Sequence, residues 1–290
     1  MPGVDLEAVG VITGWGEGLH ALPDDATGAS AGPSSLTIER PSLDGERFRR
    51  ATRECLLGVA AVQAVLAKSG RSARDIAGEA TALVYATAAA YGSSNRAFVE
   101  AAPTAGTLHF PYTAASAVPA EVAIEFQLTG PYVIFVGGAT ATLEALAYAA
   151  RLVERGECER ALVLAVETFR ECEDLHARTR WLLQRPLVES AVCALLGSGT
   201  GRLSVKDATE TSPLVRLARR RAGETLACEP LIALALGLET GDDRLCVTGE
   251  WRGRRLVLDW TSPHSVAEHL RSSAGFAGAI DPGGRQGGAS

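Results

Sequence analysis

Between positions 130 and 167 the chain reads GPYVIFVGGATATLEALAYAARLVERGECERALVLAVE. A β-branched and aromatic run, Tyr132 to Val136, meets the pair Gly137 and Gly138. An alanine-rich stretch carrying Leu143, Leu146, Leu152 and Val153 follows. This pattern predicts a strand, a tight turn, a helix over Ala139 to Arg155 and a second strand over Arg160 to Val166. Two strands joined through a helix lie parallel in one sheet, with the helix packed across its face. The unit therefore commits the chain to an α/β architecture. Where the turn meets the helix stands Ala139, followed by Thr140, so no thiol or imidazole occupies that point. On its own the segment reads as a buried α/β helix, and Thr140 as a structural threonine near a helix start.

The rest of the chain supports a substantial core: 47% of its 290 residues are apolar and 21% charged. The net charge of -6 argues against a nucleic-acid or anionic-membrane partner, both of which select for excess Lys and Arg. The most apolar window, Tyr132 to Ala150, contains Gly137, Gly138, Thr140, Thr142 and Glu144, which suits a protein core and not lipid. A soluble, cytoplasmic protein is expected. The six cysteines, Cys55, Cys158, Cys172, Cys193, Cys228 and Cys246, show no CxxC spacing. They read as free thiols, with neither a disulfide framework nor a metal site, and no cofactor is signalled.

Strand and helix alternate through the first two thirds. A strand is expected over Ala8 to Thr13, a loop over Leu22 to Pro41, and one long amphipathic helix over Arg47 to Lys68 with Gly70 ending it. Ala82 to Thr87 reads as a strand, and the second half of FPYTAASAVPAEVAIEFQ as a helix with Pro119 in its first turn. Further on, a charged helical piece is expected to about Trp181. Glu189 to Leu196 with Arg202 to Lys206 reads as a hairpin across GSGTG, then a helix over Glu229 to Leu238 and strands Leu245 to Thr248 and Arg255 to Trp260 around GEWRG. Arg216, Arg219, Arg220 and Arg221 form a basic cluster, read either as a docking surface for an acidic carrier protein or as a solvated face.

Several of these strings, in this order, resemble the ketosynthases of the thiolase superfamily, the condensing enzymes of fatty-acid and polyketide assembly. VGVITGWG is similar to that family's first strand, RRATRECLLGVAAVQAVLAKSG to its first long helix, and FPYTAASAVPAEVAIEFQLTGP to its dimer-lining stretch. RGECERALVLAVE is the most family-like string, and the resemblance covers most of residues 8 to 200. It implies a thiolase-like layered α-β-α-β-α fold with a shortened carboxyl-terminal half. The implied halves are residues 1–207 and 208–262, with a flexible tail over 263–290.

In active members the turn carries a cysteine at a helix amino terminus, where dipole and free N–H groups favour thiolate. Here the matching position is Ala139. Such enzymes also bring two histidines from their second half, whereas His20, His109, His176, His264 and His269 lie in no comparable string. Glu224 or Thr225 stands near the second histidine's place, and the family's glycine-rich turn between the last strands is matched by GEWRG, bulky at Trp251 and Arg252. Nucleophile and bases are missing together, as in chain-length factors, ketosynthase-like subunits that pair with an active ketosynthase and shape its acyl tunnel.

The resemblance implies a heterodimer with an active ketosynthase in type II fatty-acid or polyketide biosynthesis, with contact to acyl carrier protein. No catalytic residue is expected. Gly137, Gly138, Ala139, Thr140, Phe110, Tyr112 and Phe126 are the implied elbow and tunnel residues. Two alternatives remain at this level. One is a divergent acyltransferase using Thr140 or a cysteine outside the elbow with His109, and the other is a self-associating thiolase-fold binding module.

Overall fold

The computed structural model describes residues 3–30, 35–101, 107–169 and 185–261. The expected tail over 263–290 and the charged piece up to Trp181 lie outside the described residues. Strands are numbered β1 to β9, and helices of ten residues or more α1 to α6. The order is β1 (Gly3–Thr13), β2 (Gly16–Glu17), α1 (Arg53–Ser69), β3 (Thr81–Thr87), α2 (Gly92–Ala101), α3 (Ala117–Phe126), β4 (Tyr132–Val136), α4 (Ala139–Glu154) and β5 (Arg160–Glu167). Then come β6 (Ser190–Gly199), β7 (Arg202–Asp207), α5 (Pro213–Ala222), α6 (Glu229–Thr240), β8 (Arg244–Trp251) and β9 (Arg254–Thr261).

Two sheets organise these elements. The first runs β2-β1-β6-β5-β3-β4, with β3 parallel to both β4 and β5. The second runs β7-β9-β8, all antiparallel. One face of the first sheet, with Leu83, Tyr85, Leu162 and Leu164, packs on α1 and α3. Its other face, with Val84, Val163 and Val192, packs on α4 and α6, which also cover the inner face of the second sheet through Leu245, Leu256 and Leu258. This is a layered α/β arrangement of the thiolase-like kind that the resemblance implies, its smaller sheet built from β7, β8 and β9. Helix α4 sits between the sheets because it is apolar on nearly every side. Leu143 and Leu146 are fully buried, each contributing roughly 2 kcal/mol of transfer free energy.

The outer face of the second sheet is polar. Lys206 and Arg244 flank Asp259 at 2.9 and 3.3 Å, and Arg255 meets Glu250 at 2.5 Å. Strand alternation puts these charges opposite the leucines, so that face is suited to water.

Two sequence expectations change. The first helix does not begin at Arg47: Glu46–Arg49 is a separate 3-10 turn, and α1 starts after Thr52, whose Oγ1 accepts from the Cys55 amide. It ends as expected at Gly70, which takes φ 69°. The hairpin across GSGTG does not form. β6 pairs with β1 and β5, while β7 crosses to the second sheet and pairs with β9. The arginine cluster, to which the sequence pattern assigns no element, lies on a helix, α5, with Ser212 as its cap and Pro213 in its first turn.

Candidate functional site

Strand β4, a turn and α4 form the elbow. The Gly137 amide donates to the Thr87 carbonyl at 2.8 Å, and the Ala141 amide to the Gly138 carbonyl at 3.0 Å, which opens the helix. Gly138 is the N-cap and offers no side chain to it. Ala139, 3% exposed, is therefore the first helical residue, at the point where dipole and free N–H groups are concentrated. Its methyl carries no lone pair and no labile proton, so it forms no acyl bond. Thr140 is buried, and among the described residues no side chain hydrogen-bonds its hydroxyl. A hydroxyl without a base is a weak nucleophile.

Two close approaches seal this elbow from the second half. A Cβ built on Gly249 in β8 would stand 2.7 Å from the Ala139 carbonyl oxygen, so the strand runs directly against the helix start. A Cβ on Gly138 would stand 2.1 Å from Cε3 of Trp251 and 2.4 Å from its Cδ2. The indole therefore lies on the bare face of Gly138. Trp251 is aimed there by the GEWRG turn: Trp251 pairs with Arg254 across Arg252 and Gly253, both at positive φ (50° and 81°), the pattern of a tight primed hairpin. Arg252 lies over the indole at 6.0 Å. GEWRG is legible in the sequence as a departure from the family pattern, but the contact Trp251 makes is not.

A buried carboxylate beneath the elbow is a feature that sequence reasoning missed. Glu167, at the end of β5, accepts from the Ala88 amide at 2.6 Å and the Ala89 amide at 2.9 Å. Complete burial pushes its carboxyl from 4.5 up to about 8, against the lowering effect of those amides, the Ala227 amide and the Thr87 hydroxyl. Thr87, whose carbonyl holds Gly137, donates its hydroxyl to the Val166 carbonyl at 3.0 Å. Glu167 thus holds the loop on which the elbow rests. The available signal is a lone carboxylate closing the apolar strand RALVLAVE.

The remaining expected residues separate. Phe126 is buried and Tyr112 partly so in the cluster with α1 and α3, across the first sheet from α4's apolar face, so neither joins the elbow. Phe110 is 64% exposed and meets Phe98 edge-on at 6.0 Å. Glu224 does not serve the elbow as a base. Its carboxylate pairs with Arg185, and Thr225 beside it is buried. His20 is exposed on a 3-10 turn, the His109 side chain is not described, and His176, His264 and His269 lie outside the described residues. Burial pushes the Cys158 thiol up, which makes it a poor nucleophile, and Cys172 lies outside the described residues.

In the arginine cluster, Arg219 pairs with buried Glu229 at 2.5 and 3.0 Å, and Arg221 donates to the carbonyls of Leu19, Leu22 and Pro23. Arg216 and Arg220 alone of the four are exposed. Among the described residues no helix is long and apolar enough to cross a membrane, and no group of three or more His, Cys, Asp or Glu is placed to hold a metal ion.

The layered fold and the strand–elbow–helix unit define the class as the ketosynthase branch of thiolase-like proteins. The chain belongs to the beta-ketoacyl synthase family: the family's amino-terminal domain model matches residues 17–187. Among solved structures it is similar to a type II polyketide synthase acyl-carrier protein in complex with its ketosynthase bound to the hexaketide. That match has TM-score 0.70 and 13% identity, over 90% of this chain and 100% of the other. It is also similar to the ishigamide ketosynthase/chain length factor, with TM-score 0.65 and 16% identity over 90% and 99%. A ketosynthase in complex with its chain length factor from Xenorhabdus doucetiae matches with TM-score 0.59 and 15% identity, over 89% and 99%. No curated protein matches the chain.

Proposed function

We propose that the chain is a non-catalytic, chain-length-factor-like subunit that pairs with an active ketosynthase in type II polyketide or fatty-acid biosynthesis. The observation that carries this reading is a single continuous stretch: an apolar edge strand leading into an elbow with alanine at the nucleophile's place. β4 is the last strand of the first sheet, and Tyr132 and Val136 on it are 42% and 61% exposed. Ile124 on α3 is 64% exposed, and the Tyr132 hydroxyl reaches the carbonyl of Ser116, the residue that caps α3, at 3.5 Å. An uncovered strand edge with apolar side chains is a template for another chain, and a soluble protein keeps such an edge for a partner.

The likeness to ketosynthase and chain-length-factor complexes supports a ketosynthase as that partner. The elbow supports a silent role, since Ala139 replaces the nucleophile and no described base reaches Thr140. Carrier docking, on this reading, falls to Arg216 and Arg220, because Arg219 and Arg221 are committed within the fold. Residues 1–207 and 208–262 are the two halves of the subunit.

Co-expression with an active ketosynthase followed by size-exclusion chromatography tests the pairing. A one-to-one complex is expected. A stable homodimer indifferent to the ketosynthase would favour the self-associating binding module instead, since β4 can also pair with a second copy of itself.

A further inference from the structure

We propose that Trp251 is a steric plug that closes the elbow to thioesters, so that this site is silenced twice, by loss of the nucleophile and by loss of access. The inference deepens the non-catalytic reading, and its test does not need the partner subunit.

The geometry is local and specific. The indole covers the backbone face of Gly138 so closely that even a methyl there would overlap it, and Cδ1 of the same ring comes within 3.9 Å of a Cβ built on Gly137. The ring therefore spans both glycines of the turn. On another side Gly249 of β8 runs directly against the Ala139 carbonyl, and Ala139 is only 3% exposed. A thioester carbonyl approaching a nucleophile at position 139 must come within bonding reach of that side chain with its acyl and carrier arms trailing outward. The indole covers the glycine face of the turn immediately ahead of that side chain.

The plug is held in place by the hairpin. β8 and β9 pair without a break from Arg244–Thr261 to Trp251–Arg254, and Arg254 meets Glu144 of α4 at 2.6 Å. The hairpin tip is thus anchored to the elbow helix itself. Gly138 is part of the same device, since no other residue at that position leaves room for the ring.

The test installs a reporter thiol. Ala139→Cys, alone and combined with Trp251→Ala, is treated with iodoacetamide, and labelling is followed by mass spectrometry of the peptide that contains position 139. The thiolate sulfur displaces iodide from the reagent's methylene carbon, and the thiol proton passes to buffer. Partly exposed Cys246 serves as the reference for reagent, and buried Cys193 as the reference for unfolding. The proposal expects the installed thiol to label at least about tenfold faster once Trp251 is shortened, with Cys193 unlabelled in both proteins. Equal rates with and without the indole, or fast labelling in Ala139→Cys alone, would overturn it. If Trp251→Ala exposes Cys193, Trp251→Val, which suits a strand position, carries the same comparison.

Discussion

Thr142 and Ala227 are joined by a fully buried 2.6 Å hydrogen bond, the threonine hydroxyl donating to the backbone carbonyl. It ties the first turn of α4 to the segment ahead of α6, two residues past Thr225. Thr142→Val keeps the shape but leaves the Ala227 carbonyl buried without its donor. The variant should lose about 1–3 kcal/mol in urea unfolding. Its elbow should become no more reactive toward thioesters.

Arg219 and Arg220 are neighbours in sequence with opposite consequences. Arg219→Ala leaves Glu229, which burial already pushes up, without its cation, and should cost roughly 3 kcal/mol, the low end for breaking a buried pair. Arg220→Ala removes an exposed side chain and should change stability by less than about 0.5 kcal/mol. If carriers dock on α5, combining Arg216→Ala with Arg220→Ala weakens carrier binding and its salt dependence while leaving the unfolding midpoint in place. Titration calorimetry at two ionic strengths, alongside urea curves, checks both parts.

Glu167 makes stability depend on pH. Its folded-state carboxyl sits near 8, above its ordinary 4.5, so between those values the folded chain holds a proton that the unfolded chain has released. Stability therefore falls as pH rises through that window and levels off above it. Glu167→Gln removes the slope. It also leaves the Ala88 or Ala89 amide without an oxygen, a loss of about 1–3 kcal/mol at the acid end that shrinks toward the alkaline end. Urea midpoints measured across the window in both proteins decide this.

Val136 gives a handle on assembly that leaves folding alone. It is 61% exposed at the end of the edge strand, so Val136→Lys should leave the unfolding midpoint within about 0.5 kcal/mol. A buried lysine at a dimer seam is costly and blocks pairing, which is how natural edge strands avoid association. Size-exclusion chromatography should show the loss of complex with a ketosynthase.

The sequence is most informative where structure is local. The bounds of β4, α4 and β5 agree with the pattern to within a residue or so, because strand and helix periods, paired glycines and small helix residues all act over short distances. Gly70 is readable as a helix terminator for the same reason. The GSGTG segment misleads because a tight turn between two apolar runs looks the same whether or not the runs pair. β6 instead goes between β1 and β5, and β1 lies far away in sequence. Helix α5 is hard to read because its fully buried face is the short set Val215, Ala218 and Ala222, with Leu214 and Leu217 packed beside it, and the arginines dominate its composition. At the site, the unreactive side chain where the turn meets the helix is visible at Ala139. The indole on Gly138 is not, since nothing local to GEWRG says what its tip touches.

Whether this elbow can form an acyl-enzyme is decided by intact-mass measurement of the purified chain after incubation with malonyl- and acetyl-loaded carrier protein. The chain's mass should remain that of the unmodified protein while an active ketosynthase in the same tube gains an acyl group. A covalent acyl adduct on this chain, at Thr140 or at any cysteine, would contradict the silent role.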